Sequence, residues 1–99
     1  MKKYEGENEQ LNAKYNGDFV KYLEAIFDSR NSFYKKAKIL KYNDVLYLQS
    51  YETIVAKIED KTPFVFGWYS TTTARHINEF LKQNNFEAMT KKEMQKINN

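Results

Sequence analysis

The feature that most constrains the fold is the segment from Ser50 to Phe86, where a strand pattern changes to a helix pattern within a few residues. Thr53 to Glu59 and Phe64 to Tyr69 are rich in β-branched and aromatic side chains, which favour strands. The turn signal from Asp60 to Pro63 predicts an antiparallel connection between them. Ser70 to Thr73 then offers hydroxyl groups that accept from the free amides of a helix start. We therefore predict locally paired strands with a helix packed on them.

Two more strands are predicted before this segment. Phe33 to Tyr42 and Val45 to Ser50 follow a period of two, and Asn43-Asp44 provides the turn that joins them. The connection at Tyr51-Glu52 leaves two alternatives open. Either it separates two strands, or Val45 to Glu59 forms one long bent strand. Both alternatives give an antiparallel meander of three or four strands.

Helical patterns flank these strands. Asp18 is a good N-cap residue, and the apolar residues after it share one helical face, which predicts a helix from Asp18 to Ser29. The second helix begins at Ala74, and Asn84-Asn85 supplies its left-handed cap. Thr90 to Glu93 is a capping box that predicts a short third helix. Residues 1–16 are polar and weakly periodic, which is typical of a ragged or loosely helical lead-in.

These patterns together predict one α+β domain over residues 1–99. Its antiparallel sheet of three to four strands is packed by an N-terminal helix and a C-terminal helix, with the short third helix at the C-terminus. If one face of the sheet is uncovered, we also expect a homodimer.

Composition excludes several classes of function. The chain has no cysteine, so disulfides, thiolate metal sites and cysteine nucleophiles are excluded. It has no apolar run of the roughly 20 residues needed to span a bilayer, and its first residues are polar. We therefore expect a cytoplasmic protein with no cofactor and no metal. The net charge is +3, which is compatible with nucleic-acid contact but is also common in proteins that bind none.

The start of the second helix carries the main chemical candidates. Thr71 and Thr72, with Arg75 one turn later, have the groups needed to hold a phosphate or carboxylate at a helix N-terminus. The alternative is that the threonines only cap the helix while Arg75 pairs with Glu79. His76 is the sole histidine, and its alternatives are a general base or a residue that is hydrogen-bonded to a neighbour. No orienting carboxylate occurs at a fixed spacing, so we expect a protein that is not an enzyme.

The predicted strand from Phe33 to Tyr42 carries a second group of candidates: Lys35, Lys36, Lys38 and Lys41. Lysines among aromatic residues suit single-stranded nucleic acid, because charge binds phosphates and rings stack on bases. The alternative is that charged side chains protect a sheet edge. Strand alternation places Lys36 and Lys38 on one face, and Lys35 and Lys41 on the other.

Trp68 is a further candidate, since strand alternation places it in one aromatic row with Phe64 and Phe66. The first helix covers this row, or the row is a binding surface.

Three pieces of the chain occur in an order and at separations that resemble one family: Ser50-Tyr51-x-Thr53-Ile54-Val55-Ala56, Trp68-Tyr69-Ser70-x-Thr72-x-x-Arg75-His76 and Phe80-Leu81. The family is a small domain of unknown function that recurs in phage- and plasmid-borne proteins of low-GC Gram-positive bacteria. The resemblance covers about residues 45–86. It implies no catalytic residues, because the family has none established. It does imply that the protein comes from a mobile genetic element.

This setting favours a function by binding. We expect an inhibitor of a host defence nuclease, of the anti-CRISPR type, because recognition by shape suits a small aromatic-rich domain. The basic charge predicts contact with a Cas nuclease or its guide RNA. The alternative is a small nucleic-acid-binding protein used in phage replication or gene control.

Overall fold

The fold is an α+β arrangement in which a five-stranded antiparallel sheet lies between helices. The computed structural model describes the backbone of residues 2–28, 33 and 35–97, and side chains in these ranges from residue 8 onward. The elements are α1 (Lys2–Asn16), β1 (Asp18–Tyr22), β2 (Ala37–Tyr42), β3 (Val45–Ser50), β4 (Thr53–Glu59), β5 (Thr62–Val65), α2 (Thr71–Gln83) and α3 (Lys91–Ile97). The predicted fold class is confirmed, with five strands and not three to four.

The sheet is a meander in the order β1-β2-β3-β4-β5, and every neighbouring pair is antiparallel. β3 and β4 have the bounds that the sequence predicts. A turn at Tyr51-Glu52 separates them, so the alternative of one long bent strand is wrong. Both residues of the Asn43-Asp44 turn have positive φ (53° and 63°), and so do both residues of the Asp60-Lys61 turn (52° and 62°). Two-residue turns of this kind match the right-handed twist of the strands they join.

The prediction of a helix from Asp18 to Ser29 is wrong. Residues 18–22 form β1, and residues 23–28 form an irregular segment, while Ser29 lies outside the described residues. The apolar spacing of this segment does not form one buried face, since Leu23 is buried but Ile26 is 69% exposed. Residues 18–22 instead form hydrogen bonds to β2 along one edge. The N-terminal helix is α1, in the region expected to be a loose lead-in.

Two other strand predictions have the wrong bounds. β2 begins at Ala37, because Phe33, Lys35 and Lys36 form a turn in which Lys35 has a φ of 53°. Tyr34, also in the predicted strand, lies outside the described residues. β5 includes Thr62 and ends at Val65, shortly before Gly67, whose φ is 156°. An irregular segment over residues 66–70 replaces the predicted strand end.

Each face of the sheet packs on its own helical layer. On one face, Ala13 of α1 packs with four buried sheet residues: Leu40, Val45, Tyr47 and Ile54. On the other face, the apolar stripe of α2 and Met94 of α3 pack with residues that include Ile39, Leu48 and Val55. We call these the α1 face and the α2 face of the sheet. The sheet is therefore the middle layer of three, and β1 and β5 are its two edges.

The predicted helix caps are confirmed. Ser70 is the N-cap of α2, and its hydroxyl accepts from the Thr73 amide at 3.1 Å, so α2 begins at Thr71, earlier than the predicted Ala74. Asn85 has a φ of 69°, and the Phe86 amide donates to the Leu81 carbonyl at 2.9 Å, which is a Schellman-type end. Thr90 and Glu93 exchange the two hydrogen bonds of a capping box before α3. None of the described helices has the length and apolar character needed to cross a membrane.

Candidate functional site

A buried polar network joins the end of β3 to the start of α2. The Ser50 hydroxyl lies 2.8 Å from Nδ1 of His76 and 2.9 Å from the Thr73 hydroxyl. All three residues are buried, and His76 is 0% exposed. β3 ends here at the Tyr51-Glu52 turn, and α2 begins here because the Ser70 hydroxyl caps its first turn. We call these residues the Ser–Thr–His network.

Aromatic rings enclose the imidazole of His76. The ring of Phe33 lies 4.6 Å from it in an edge-on arrangement, and the ring of Tyr51 lies 5.8 Å away. Nε2 of His76 is buried and has no hydrogen-bond partner among the residues that the structure describes. Burial lowers the pKa of His76 to about 4, and the nearby positive charges of Arg75 and Lys36 act in the same direction. The imidazole is therefore neutral at pH 7.

The network contains a hydroxyl that could act as a nucleophile and an imidazole that could act as a base. Both groups are buried, and this position does not suit catalysis. A general base must reach a proton of the substrate, and a nucleophile must reach its reacting atom. Ser50 is 2% exposed and His76 is 0% exposed, so neither side chain reaches solvent. The short Ser50–His76 contact instead fixes β3 against α2.

Arg75 connects α2 to the segment after β1. Its Nε donates to Asp28 at 2.9 Å, and its guanidinium lies 5.8 Å from the ring centre of Phe33. The ion pair is largely shielded, since the two side chains are 20% and 17% exposed. The predicted pairing of Arg75 with Glu79 gives way to this contact with Asp28, because backbone amides occupy the Glu79 carboxylate.

Glu79 is a buried charged residue whose role the sequence does not predict. Its carboxylate is 2% exposed and accepts from the amides of Ile26, Phe27 and Asp28 at 2.9, 3.0 and 2.9 Å. The amide group of Gln83 also donates to it at 2.6 Å. Burial acts to raise the pKa of Glu79, but these hydrogen bonds outweigh it and hold the pKa below its usual value. Glu79 therefore fastens residues 26–28 to α2 as a charged group.

Thr71 and Thr72 lie in the first turn of α2, outside the buried network, and an anion site at this helix start stays a prediction. Thr71 is exposed, Thr72 is half-buried, and the capping hydroxyl belongs to Ser70. Arg75 points to Asp28 and not to the helix start. In the described part of the chain, no group of three or more acidic or histidine residues is placed to hold a metal ion.

The structure divides the four candidate lysines. Lys35 and Lys36 lie in the turn before β2, so the predicted alternation does not apply to them. Lys38 and Lys41 lie on β2, on opposite faces of the sheet. Lys38 pairs directly with Tyr22 of β1 on the α1 face, and the ring of Phe19 lies 5.0 Å from the ring of Tyr22. A lysine and two aromatic rings therefore meet at this edge.

Trp68 does not belong to an aromatic row. It follows β5, is partly buried against the core of the α2 face, and lies 5.0 Å below the ammonium of Lys91. Phe66 packs with the other core cluster, against α1, and Phe64 is 45% exposed. The row was expected because the strand was predicted to continue to Tyr69.

The largest run of exposed apolar side chains begins at β1. We call this the β1 surface, and its members are Phe19 (54% exposed), Val20 (48%), Tyr22 (39%), Ile26 (69%) and Phe27 (58%). The sequence does not predict it, because a helix at this position would bury four of the five residues on one face, all except Val20. The structure reveals this surface, because five residues within a span of nine have large exposed fractions.

Residues 21–96 match DUF8033, a family of unknown function. Comparison with curated proteins and with solved structures gives no match. The match includes the whole segment from Ser50 to Phe86 and also reaches Tyr22, Ile26 and Phe27 of the β1 surface.

Proposed function

The chain belongs to this family of unknown function, and we propose that it acts by binding another macromolecule and not by catalysis. The inaccessible Ser–Thr–His network supports this proposal, because the best-placed nucleophile and base do not reach solvent. Its role is to hold β3 and α2 together. Five of the large apolar residues that are exposed to solvent belong to the β1 surface.

The observation that carries the proposal is the exposure of the β1 surface. Small monomeric proteins keep exposed large apolar side chains scattered singly, whereas residues 19–27 carry five of them on the two faces of β1 and on the segment after it. Val20, Ile26 and Phe27 offer aliphatic and aromatic area that suits the core of a protein interface. Glu79 holds the backbone of residues 26–28 in place, so these side chains are presented from a fixed segment. A preorganised surface binds with a smaller entropic cost.

The partner we propose is a host defence nuclease, so that the protein is an inhibitor of the anti-CRISPR type acting in the host cytoplasm. The resemblance of residues 45–86 to domains of phage and plasmid origin supports this setting. The charge also supports it: Lys21 and Lys38 lie beside the β1 surface, and the chain carries +3 overall. Because it is positively charged, such a surface suits a Cas nuclease or its guide RNA better than it suits a cation.

The direct test is complex formation between the purified protein and Cas effectors, each with and without guide RNA, measured by size-exclusion chromatography with light scattering. We expect a stable complex that the double variant Ile26→Ser/Phe27→Ser no longer forms. The matched control is Leu11→Ser, since Leu11 is 54% exposed but lies on α1. If no effector forms a complex, the anti-CRISPR proposal fails.

A second candidate is direct binding of single-stranded nucleic acid, which the Tyr22–Lys38 pair favours. A lysine beside two exposed rings on a sheet provides charge for a phosphate and faces for stacking bases. The test is a mobility shift with labelled oligonucleotides at low salt, where phosphate-driven binding is strongest. Tyr22→Ser and Lys38→Gln should each weaken a shift, whereas no shift by the unaltered protein rejects this candidate.

A further inference from the structure

Among the described residues, no strand pairs with the outer edge of β1, and its side chains are exposed. It pairs with β2 on one side and is the first strand of the sheet. All five of its residues are exposed, and three of them are large apolar residues. An unpaired edge of this kind is a template for pairing with another strand. The question is which strand fits it.

A bulge determines which face each residue of β1 occupies. Phe19 and Tyr22 pair with Leu40 and Lys38, which lie on the α1 face. The register shifts between Phe19 and Lys21, so that Val20 and Lys21 both line a shallow cavity with Phe80 on the α2 face. Asp18 pairs with Lys41, and this places it on the α2 face as well.

We propose that the free edge of β1 pairs antiparallel with β1 of a second copy, which joins the two sheets into one. A two-fold axis perpendicular to the joined sheet places the α1 faces of both copies on one side and their α2 faces on the other. Residues that lie opposite each other must therefore belong to the same face. The register centred between Val20 and Lys21 meets this condition. It places Phe19 opposite Tyr22 of the second copy, both on the α1 face. It also places Val20 opposite Lys21 of the second copy, both on the α2 face.

The other registers that pair at least four residues of β1 with the second copy do not meet the condition. A shift of one residue places Phe19 opposite Lys21, which lies on the other face. A shift of two residues places Phe19 opposite Val20, which fails for the same reason because of the bulge. Among registers with an overlap of at least four residues of β1, one therefore satisfies the alternation of both strands.

Charge complementarity supports the same register. Lys21 lies diagonal to Asp18 of the second copy on the α2 face, within reach of a lysine side chain. The two-fold axis repeats this pair, and it also repeats the contact of Phe19 with Tyr22. The four rings then lie together on the α1 face, with Lys38 of each copy beside them. Formation of this dimer does not depend on the binding partner in the proposed function. The dimer also enlarges the surface that such a partner would contact.

The test is sedimentation equilibrium of the full chain over a range of concentrations, with charge-reversal variants. We expect a monomer–dimer equilibrium. Asp18→Lys or Lys21→Asp alone should raise the dimer dissociation constant by about tenfold, since each creates two like-charge contacts. The double variant Asp18→Lys/Lys21→Asp should restore the dimer. Thr62→Lys on β5, the other edge, is the control and should leave the equilibrium unchanged.

Two results would overturn the proposal. One is a monomer at every concentration, which would leave the edge free for a strand of another protein. The other is a dimer that Asp18→Lys and Lys21→Asp do not weaken. Circular dichroism of each variant separates these results from loss of folding, and all three positions are exposed. A failure to bind any Cas effector does not affect the result, so the two proposals fail separately.

Discussion

The Ser50 hydroxyl lies 2.8 Å from Nδ1 of His76, which joins the last residue of β3 to the second turn of α2. These two residues are 26 positions apart, and both lie in the part of the chain that matches the family of unknown function. Their contact is buried, and Thr73 extends it. The segment is thus a structural unit that fixes a helix on a sheet.

Loss of the Ser50 hydroxyl should destabilise the protein. In Ser50→Ala, Nδ1 of His76 and the hydroxyl of Thr73 both lose a buried hydrogen-bond partner, which costs about 1 to 3 kcal/mol. Urea denaturation measures the change in the free energy of unfolding. Thr71→Ala is the control, because Thr71 is exposed at the same helix start and should change little. Equal effects of the two variants would contradict the role of the network.

The pKa of His76 predicts that acid lowers stability in a defined range. The pKa is about 4 in the folded protein and about 6.5 in the unfolded chain. As the pH falls from about 6.5 towards 4, the unfolded state binds a proton first, so the free energy of unfolding falls by at most about 1.4 kcal/mol per pH unit. Below about 4.5, the lowered pKa of Glu79 adds to this loss.

The measurement for this prediction is urea denaturation at closely spaced pH values. His76 is the sole histidine, so His76→Gln should remove the slope between pH 6.5 and 5 while the slope below 4.5 remains. Stability that stays constant or rises on acidification through this range would show that His76 is not held neutral by its surroundings.

Glu79→Gln should release the segment at residues 26–28. An amide has one acceptor oxygen and two donor hydrogens, so it cannot accept from the three backbone amides that the carboxylate binds. We expect a loss of about 2 kcal/mol in the free energy of unfolding, since hydrogen bonds to charged groups are strong. Hydrogen exchange at Ile26, Phe27 and Asp28 should become much faster. The exposed Glu87→Gln is the control, and unchanged protection in Glu79→Gln would refute the anchoring role.

Tyr47 should stabilise the docking of α1 on the sheet. Its hydroxyl donates to Glu9 at 2.6 Å, and the ammonium of Lys57 also binds this carboxylate. Burial, together with Glu9, raises the pKa of Tyr47, so the phenol stays protonated as a donor. Tyr47→Phe should cost roughly 1 kcal/mol and speed exchange of α1 amides. Tyr15→Phe, at a residue that is 72% exposed, should do neither.

The parts of the fold that depend on local signals are the parts that sequence predicts well. β3, β4 and the caps of α2 and α3 are encoded by short groups such as Asn43-Asp44, Ser70 and Thr90 to Glu93. β1 was predicted as a helix because its apolar spacing fits both structures. Pairing with β2, about 20 residues away, decides between them, and no local signal reports that pairing.

The same distinction separates the site residues. His76 and Arg75 are identifiable as candidates by residue type, but their partners are distant in sequence and cannot be predicted from it. Ser50 lies 26 residues before His76, and the amides that bind Glu79 lie 51 to 53 residues before it. An acidic residue beside the apolar stripe of α2 was the available signal for Glu79. The mobile-element origin remains a prediction from resemblance.

The central claim is that the protein acts by binding through the β1 surface, and a plaque assay tests it most directly. Phage are plated on a CRISPR-immune host that expresses the protein, the Ile26→Ser/Phe27→Ser variant or the Leu11→Ser control. We predict that the unaltered protein and Leu11→Ser restore plaques and that the double variant, at equal abundance, does not. Plaque counts that stay low with the unaltered protein, or that are fully restored by the double variant, would contradict the account.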